Sequence, residues 1–280
     1  MKNFGITSCA LNSVSEKQIW QDIGGSLVIS YVGVGKAAFY RLRLGKEICV
    51  DLLPEHWLGV SAIEGVTSET IDHFLADQVI PRAMAHAGLF IVHASGVRIG
   101  ESAALFIGAS GMGKSTLATS FNNAGSPLMG DDAIVLSSEK GKFRAQPVYP
   151  SLRLLPDSIK ALLPKSVATT AVSHSSTKRR IDLPVSPTSK FGPQSIGAIF
   201  KLCEPSSGDG IHCRPLSIAD TCMALIENSF LLDPTDMYRV RAKLSAASEL
   251  ARHVPAFGIS YPRNYGSLTE VQNLIRAHLS

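Results

Sequence analysis

Few residues of this 280-residue chain carry a charge: Asp, Glu, Lys and Arg make up 18%, with a formal net charge of +4. So mild an excess argues against a nucleic-acid surface, which needs a basic stripe, and allows a single acidic ligand. Cysteine is scarce as well. Cys9, Cys49, Cys203, Cys213 and Cys222 are odd in number and contain no C-x-x-C pair, so neither a disulfide framework nor a zinc ribbon is indicated and reduced thiols are expected. No uncharged apolar run approaches the ~20 residues of a membrane helix. The opening MKNFGITSCALNSVSEKQIW has no sustained apolar centre of the signal-peptide kind. A cytoplasmic protein is expected, with neither a membrane nor a nucleic acid as partner. Internal repeats and low-complexity tracts are also absent. What is present is a 45% hydrophobic content, ordinary for a globular chain, and a length sufficient for one large domain or two smaller ones.

The most informative stretch is GASGMGKSTL, residues 108–117. Gly108, Gly113, Lys114 and Ser115 fit G-x-x-x-x-G-K-[ST], a loop whose backbone N–H groups surround phosphates while the lysine reaches the outer ones. Its glycines permit positive φ and close backbone approach. The apolar run AALFIG precedes it, and STLATSFNNAG follows with Leu117, Ala118 and Phe121 at helical spacing and Gly125 as a stop. Strand, loop and helix therefore stand in the order a phosphate site requires, with the helix N-terminus offering unpaired N–H groups to an anion.

Residues 1–66 read differently. GGSLVISYVG, KAAFYRLRLG and KEICVDLL are short runs rich in β-branched and aromatic residues, which predicts a small antiparallel meander. Arg41 and Arg43 are expected on an exposed strand face, and Arg239 and Arg241 on an exposed helix face. Thr67 or Ser68 is a candidate cap for a helix running to Gly88, with Pro81 kinking or splitting it. The expected division is a β-rich subdomain over 1–66 and a phosphate-loop domain over 67–280. In the latter, from LFIVHASGVRIG onward the order reads strand, turn, strand, phosphate loop, helix and then SPLMGDDAIVL, with SIGAIFKLCEP and AFGISYP as further strands. The segments after Pro156, Ser217, Pro234 and Ser267 read as helices, and residues 165–191, rich in Ser, Thr and Pro, as a mobile loop containing KRR, Lys178 to Arg180. That basic run is either a solvated surface or a clamp on a nucleotide or an acidic substrate. His212, Cys213 and Cys222 lack metal-ligand spacing.

Asp131 and Asp132 lie behind PLMG and ahead of AIVL, and His93 closes the strand LFIV. Together with the loop, VHASGVRIGESAALFIGASGMGKS through NNAGSPLMGDDAIVL resembles the HPr kinase/phosphorylase family and its relatives. More closely still, it resembles the shorter kinases found with ribosomal-peptide gene sets, including those acting on lasso-peptide precursors. The resemblance implies an α/β fold with a phosphate-loop core akin to phosphoenolpyruvate carboxykinases. It implies transfer of phosphate from ATP to a serine hydroxyl of a protein or peptide, with Mg²⁺. Asp132 takes the position of the base, Asp131 aids the metal or the base, His93 takes the active-site histidine position, and Lys114 neutralises the outer phosphates. Ser115, with Asp131, is the implied metal ligand. Gly108, Ala109, Ser110, Gly111, Met112, Gly113, Lys114, Ser115 and Thr116 form the nucleotide loop, with Arg153, Arg179 and Arg180 as further candidates for the nucleotide. Family members that act on HPr assemble into rings; the sequence shows no contact surface and leaves the oligomeric state open, a homo-oligomer being one possibility.

The chain also departs from the full-length pattern. In SLRLLP, Ser151 stands where the family has a glutamate, and the basic segment serving phosphorolysis is not recognisable, so no phosphorylase activity is expected. A small-molecule kinase of the free-serine type and a non-catalytic ATP-binding switch are the alternative readings. Strand addition at the meander's edge is a candidate mode for binding a leader peptide.

Overall fold

The computed structural model describes residues 15–33, 38–53, 56–149, 152–173, 176–181, 192–205 and 210–279. The chain divides into two compact units, one of residues 1–89 with 231–242, the other of residues 90–230 with 243–280.

In the first unit, β1 (Glu16–Gln21), β2 (Leu27–Val32), β3 (Phe39–Leu44), β4 (Ile48–Leu53) and β5 (His56–Ala62) form an antiparallel meander in chain order. The expected meander is thus present, with a strand added at each side. Period-two alternation sorts its faces. Leu27, Ile29, Leu42, Ile48 and Val50 turn into a core completed by Phe74, Val79 and Leu232. Arg41 departs from expectation: it is buried, because Asp51 stands directly opposite it on β4 and takes both its Nε (2.6 Å) and Nη2 (2.7 Å).

Thr67 caps the helix as expected, its side chain accepting from the Thr70 N–H. Pro81 splits the helix rather than ending it. Between α1 (Ser68–Phe74) and α2 (Ile80–His86) the backbone widens into a π turn, Leu75–Val79, so Pro81 stands in the first turn of α2, where its missing N–H is tolerated.

The second unit is built on one mixed sheet. Its strands are β6 (Phe90–Val92), β7 (Ala94–Ile99), β8 (Ser102–Ile107), β9 (Leu128–Gly130), β10 (Ile134–Glu139) and β11 (Lys142–Pro147), then β15 (Gln194–Leu202), β16 (His212–Pro215) and β17 (Ala256–Ser260). Their order is β6-β10-β11-β15-β8-β7-β9, with β17 beside the C-terminal half of β15 and β16 beyond it. β8, β15 and β17 run parallel, so their C-terminal ends open on one side. There, α/β sheets place their ligands.

Each face of this sheet carries a separate apolar layer. On one, Leu117 and Phe121 of α3 (Lys114–Asn123) meet Phe106, Phe200, Val271 and Ile275, the last two from α7 (Leu268–Ala277). On the other, Leu225 of α5 (Ile218–Glu227) and Ala247 and Leu250 of α6 (Met237–His253) pack on Leu105, Ile134 and Ile199. No helix among the described residues is long and apolar enough to cross a membrane.

A three-stranded sheet stands apart, β12 (Arg153–Leu154), β14 (Arg179–Ile181) and β13 (Thr169–Ala171), in that order, with α4 (Pro156–Leu162) following β12. This corrects the expectation of an uninterrupted loop over 165–191. Two pieces of it pair as strands, too short and too polar to show alternation, while 174–175 and 182–191 lie outside the described residues.

Candidate functional site

Residues 108–113 connect β8 to α3 at the open end of the parallel strands. Gly108 has φ +141°, and a Cβ there would stand 2.9 Å from the Leu202 carbonyl oxygen of the neighbouring β15. Only glycine fits so close a crossing. Gly113, with φ +88°, is the residue from which α3 starts, so the first N–H groups of that helix open towards the loop. Three residues from distant parts of the chain fix this conformation. The Gly108 N–H donates to Asn228 Oδ1 at 3.0 Å, Arg263 Nη1 donates to the Gly111 carbonyl at 3.0 Å, and Tyr261 stands beside Gly113.

Lys114 is nearly closed off from solvent. Its Nζ donates to the Gly108 carbonyl at 2.7 Å and the Ala109 carbonyl at 3.1 Å, leaving one of its three N–H donors. Burial brings its pKa down to about 8, against the opposing pull of Asp131 and Asp132, and the positive charge of Lys178 lowers it further.

The two aspartates differ in their surroundings. Asp131 is 1% exposed, and its Oδ1 accepts from both Ser95 Oγ and Ser115 Oγ, the latter at 3.0 Å. Burial and the neighbouring Asp132 push its pKa up. Asp132 lies on a left-handed backbone, φ +72°, uncommon for a non-glycine residue. Its Oδ2 accepts from Arg153 Nε at 2.7 Å and pairs with Nη2 at 2.6 Å. Gly130, before the pair, has Pro147 so near that a Cβ would fall 2.5 Å from the proline's own Cβ. The crossing of β9 and β11 therefore sets where the aspartates emerge.

One cleft is lined by His93, Ser110, Gly111, Gly113, Lys114, Ser115, Thr116, Asp132, Arg153, Leu154, Leu155 and Lys178. The loop, the acidic pair's second member and the histidine, widely separated in the chain, are thus brought together. His93 enters because its strand β6 is carried next to β10, which starts just after Asp132. Its backbone N–H donates to the Asn228 carbonyl at 2.6 Å, and its ring lies 6.2 Å from that of Phe230. Asp131 stands behind the cleft and reaches it through Ser115. Gly108, Ala109 and Met112 belong to the loop but are not part of the lining. Thr116 lines the cleft and shares a hydrogen bond with Ser158 Oγ at 3.0 Å.

Of the basic run, Lys178 lines the cleft. Arg179 is engaged elsewhere, donating to Thr169 through Nε (2.7 Å) and Nη2 (3.0 Å), and Arg180 stands opposite Arg153 in the β12–β14 ladder. Ser151 lies outside the described residues. Ser95, Asn228, Tyr261 and Arg263 were not legible as site residues, since each meets the loop or Asp131 only through the fold. His212, Cys213 and Cys222 form no metal cluster, and no group of three or more His, Cys, Asp and Glu residues suited to a metal ion exists among the described residues.

No protein-family model and no curated protein matches the chain. Among solved structures it is similar to the Hpr(Ser) kinase/phosphatase from Coxiella burnetii, with 17% identity over 67% of this chain and 89% of that one, at a TM-score of 0.39.

Proposed function

We propose that the chain is an ATP-dependent phosphotransferase that moves the γ-phosphate to a serine hydroxyl of a protein or peptide, a ribosomal-peptide precursor being one such acceptor. The observation that carries this reading is the shared cleft: a phosphate loop with its lysine, and a carboxylate with one oxygen left uncommitted, face the same space. A site that only held a nucleotide would need the first and not the second.

In this reading the loop N–H groups and the remaining Lys114 donor hold the β and γ phosphates, and charge neutralisation with positioning supplies most of the rate. Asp132 accepts the proton of the attacking hydroxyl. His93, on the opposite strand end, borders the place where the acceptor enters. Ser115 and Asp131 offer the oxygen donors that suit Mg²⁺, which retains waters and takes few protein ligands. Ser115 would hold it and Asp131 would orient Ser115. The ion, when bound, neutralises charge on the phosphates.

The test is the intact mass of serine-containing peptides with randomised flanks after incubation with the protein, ATP and Mg²⁺, with Asp132→Asn as control. One added phosphate on serine, absent from a control that still binds ATP, is the expected result. Equal transfer by Asp132→Asn would remove Asp132 as the base. Transfer to free serine and to no peptide would make the acceptor a small molecule.

A further inference from the structure

We infer that Arg153 is a positioning residue for Asp132 rather than a ligand of the nucleotide: its guanidinium immobilises one carboxylate oxygen so that the other faces the cleft. This rests on the reading of Asp132 as the proton acceptor.

The chain contains its own comparison. Arg41 and Asp51, on neighbouring strands of the meander, pair oxygen for nitrogen: Nε with Oδ1 at 2.6 Å and Nη2 with Oδ2 at 2.7 Å. That two-oxygen fork is the usual way in which arginine meets a carboxylate. Arg153 does otherwise. Its Nε and Nη2 both converge on Oδ2 of Asp132, at 2.7 and 2.6 Å, and Oδ1 accepts no hydrogen bond from any described residue. The two side chains are each only 5% exposed, yet Asp132 belongs to the cleft lining. The arrangement withholds one oxygen from the ion pair, on a residue that lines the same cleft as the phosphate loop.

Asp132 also has a left-handed backbone, φ +72°, and the Arg153 N–H lies 3.4 Å from Asp131 Oδ2. Arg153 therefore touches both aspartates, one through its main chain and one through its guanidinium. A left-handed aspartate costs free energy that its surroundings must offset, and such residues concentrate at functional sites. Stability is a poor explanation for the pair, because a buried ion pair contributes little net stability over an apolar replacement of similar volume.

The experiment measures kcat, KM and the dissociation constant of ATP for wild type, Arg153→Ala and Arg153→Lys, with ATP, Mg²⁺ and the randomised serine peptides. Arg153→Ala is expected to lose about 100-fold or more in kcat, the scale of a misplaced general base, while ATP dissociation changes less than about 3-fold. Arg153→Lys recovers part of the loss, since it restores the charge but not the pair of N–H donors on Oδ2, and added guanidinium ion raises the rate of Arg153→Ala. ATP binding weakened tenfold or more with kcat retained would make Arg153 a phosphate ligand and overturn the inference. If Arg153→Ala does not fold, as judged by its melting curve, Arg153→Lys decides: kcat lowered with ATP affinity intact supports positioning, and unchanged kcat overturns it. Wild type that phosphorylates nothing removes both the kinase reading and this inference, whereas active wild type with unimpaired Arg153 variants removes this inference alone.

Discussion

Gly108 and Asn228 are 120 residues apart in the chain, and the N–H of the first donates to the side-chain oxygen of the second at 3.0 Å. The same asparagine accepts from the His93 N–H through its main-chain carbonyl and anchors itself by donating from Nδ2 to the Ala224 carbonyl at 2.8 Å. Standing at the end of α5, it holds the first residue of the phosphate loop and the strand end that carries the histidine. Asn228→Ala is expected to lower unfolding free energy by about 1–2 kcal/mol, the loss of a partner for a half-buried N–H. It should also weaken ATP binding several-fold. Urea unfolding and an ATP titration on the same variant check this; destabilisation with unchanged affinity would mean that the loop keeps its shape without the asparagine.

Lys114 gives a pH signature. Its pKa is lowered to about 8, so above that value the site contains a neutral lysine, whereas a phosphate favours the charged form. ATP affinity is therefore expected to be level below pH 8 and to fall as pH rises beyond it, with proton uptake on binding in the upper range. Calorimetry at pH 7 and pH 9 in buffers of different ionisation enthalpy reads both. A flat affinity across this range would mean that the lysine stays charged throughout.

Lys178 lowers the Lys114 pKa by like charge. Its removal in Lys178→Ala should shift the onset of that decline to higher pH, and at pH 7 it should weaken ATP binding by about 3–10-fold through the lost attraction. The same calorimetric series measures both. A variant whose pH curve does not move would show that the two ammonium groups are not coupled.

Gly130→Ala should be among the most damaging small changes. Its new methyl group would overlap Pro147, separated by only 2.5 Å, and neither backbone can yield without moving the aspartates that follow. A loss of about 2 kcal/mol or more is expected, in the range of overpacked cores. Gly24→Ala is the control: its Cβ would meet only Asp22 at 3.9 Å, and it should leave the melting temperature nearly unchanged.

Legibility in the sequence followed the range of the interactions. The loop, the helix behind it, the Thr67 cap and the meander are local features, set by glycine, cap and alternation patterns that act within a few residues. His93 and Asp132 were singled out through a family resemblance in their positions relative to the loop, and the sheet order brings both to one cleft. Asn228 and Arg263 gave no sign, because an asparagine at a helix end and an arginine after a strand look ordinary until the chain returns to the loop. Arg41 was misjudged for the same reason: it reads as part of an exposed strand face, and its burial is explained by partners on two other strands, Asp51 at 2.6 Å and Glu16 at 3.5 Å. The strands β13 and β14 are three residues each, shorter than any period can show.

The direction in which a ribosome builds the chain gives those remote anchors a temporal meaning. The loop itself is complete by residue 117, but the groups that hold it, Leu202, Asn228, Tyr261 and Arg263, are all synthesised later. A nascent chain halted before its last strand would possess every residue of the phosphate signature and still lack Tyr261 and Arg263. The ability to hold a phosphate group in this loop is therefore expected to arrive late in synthesis.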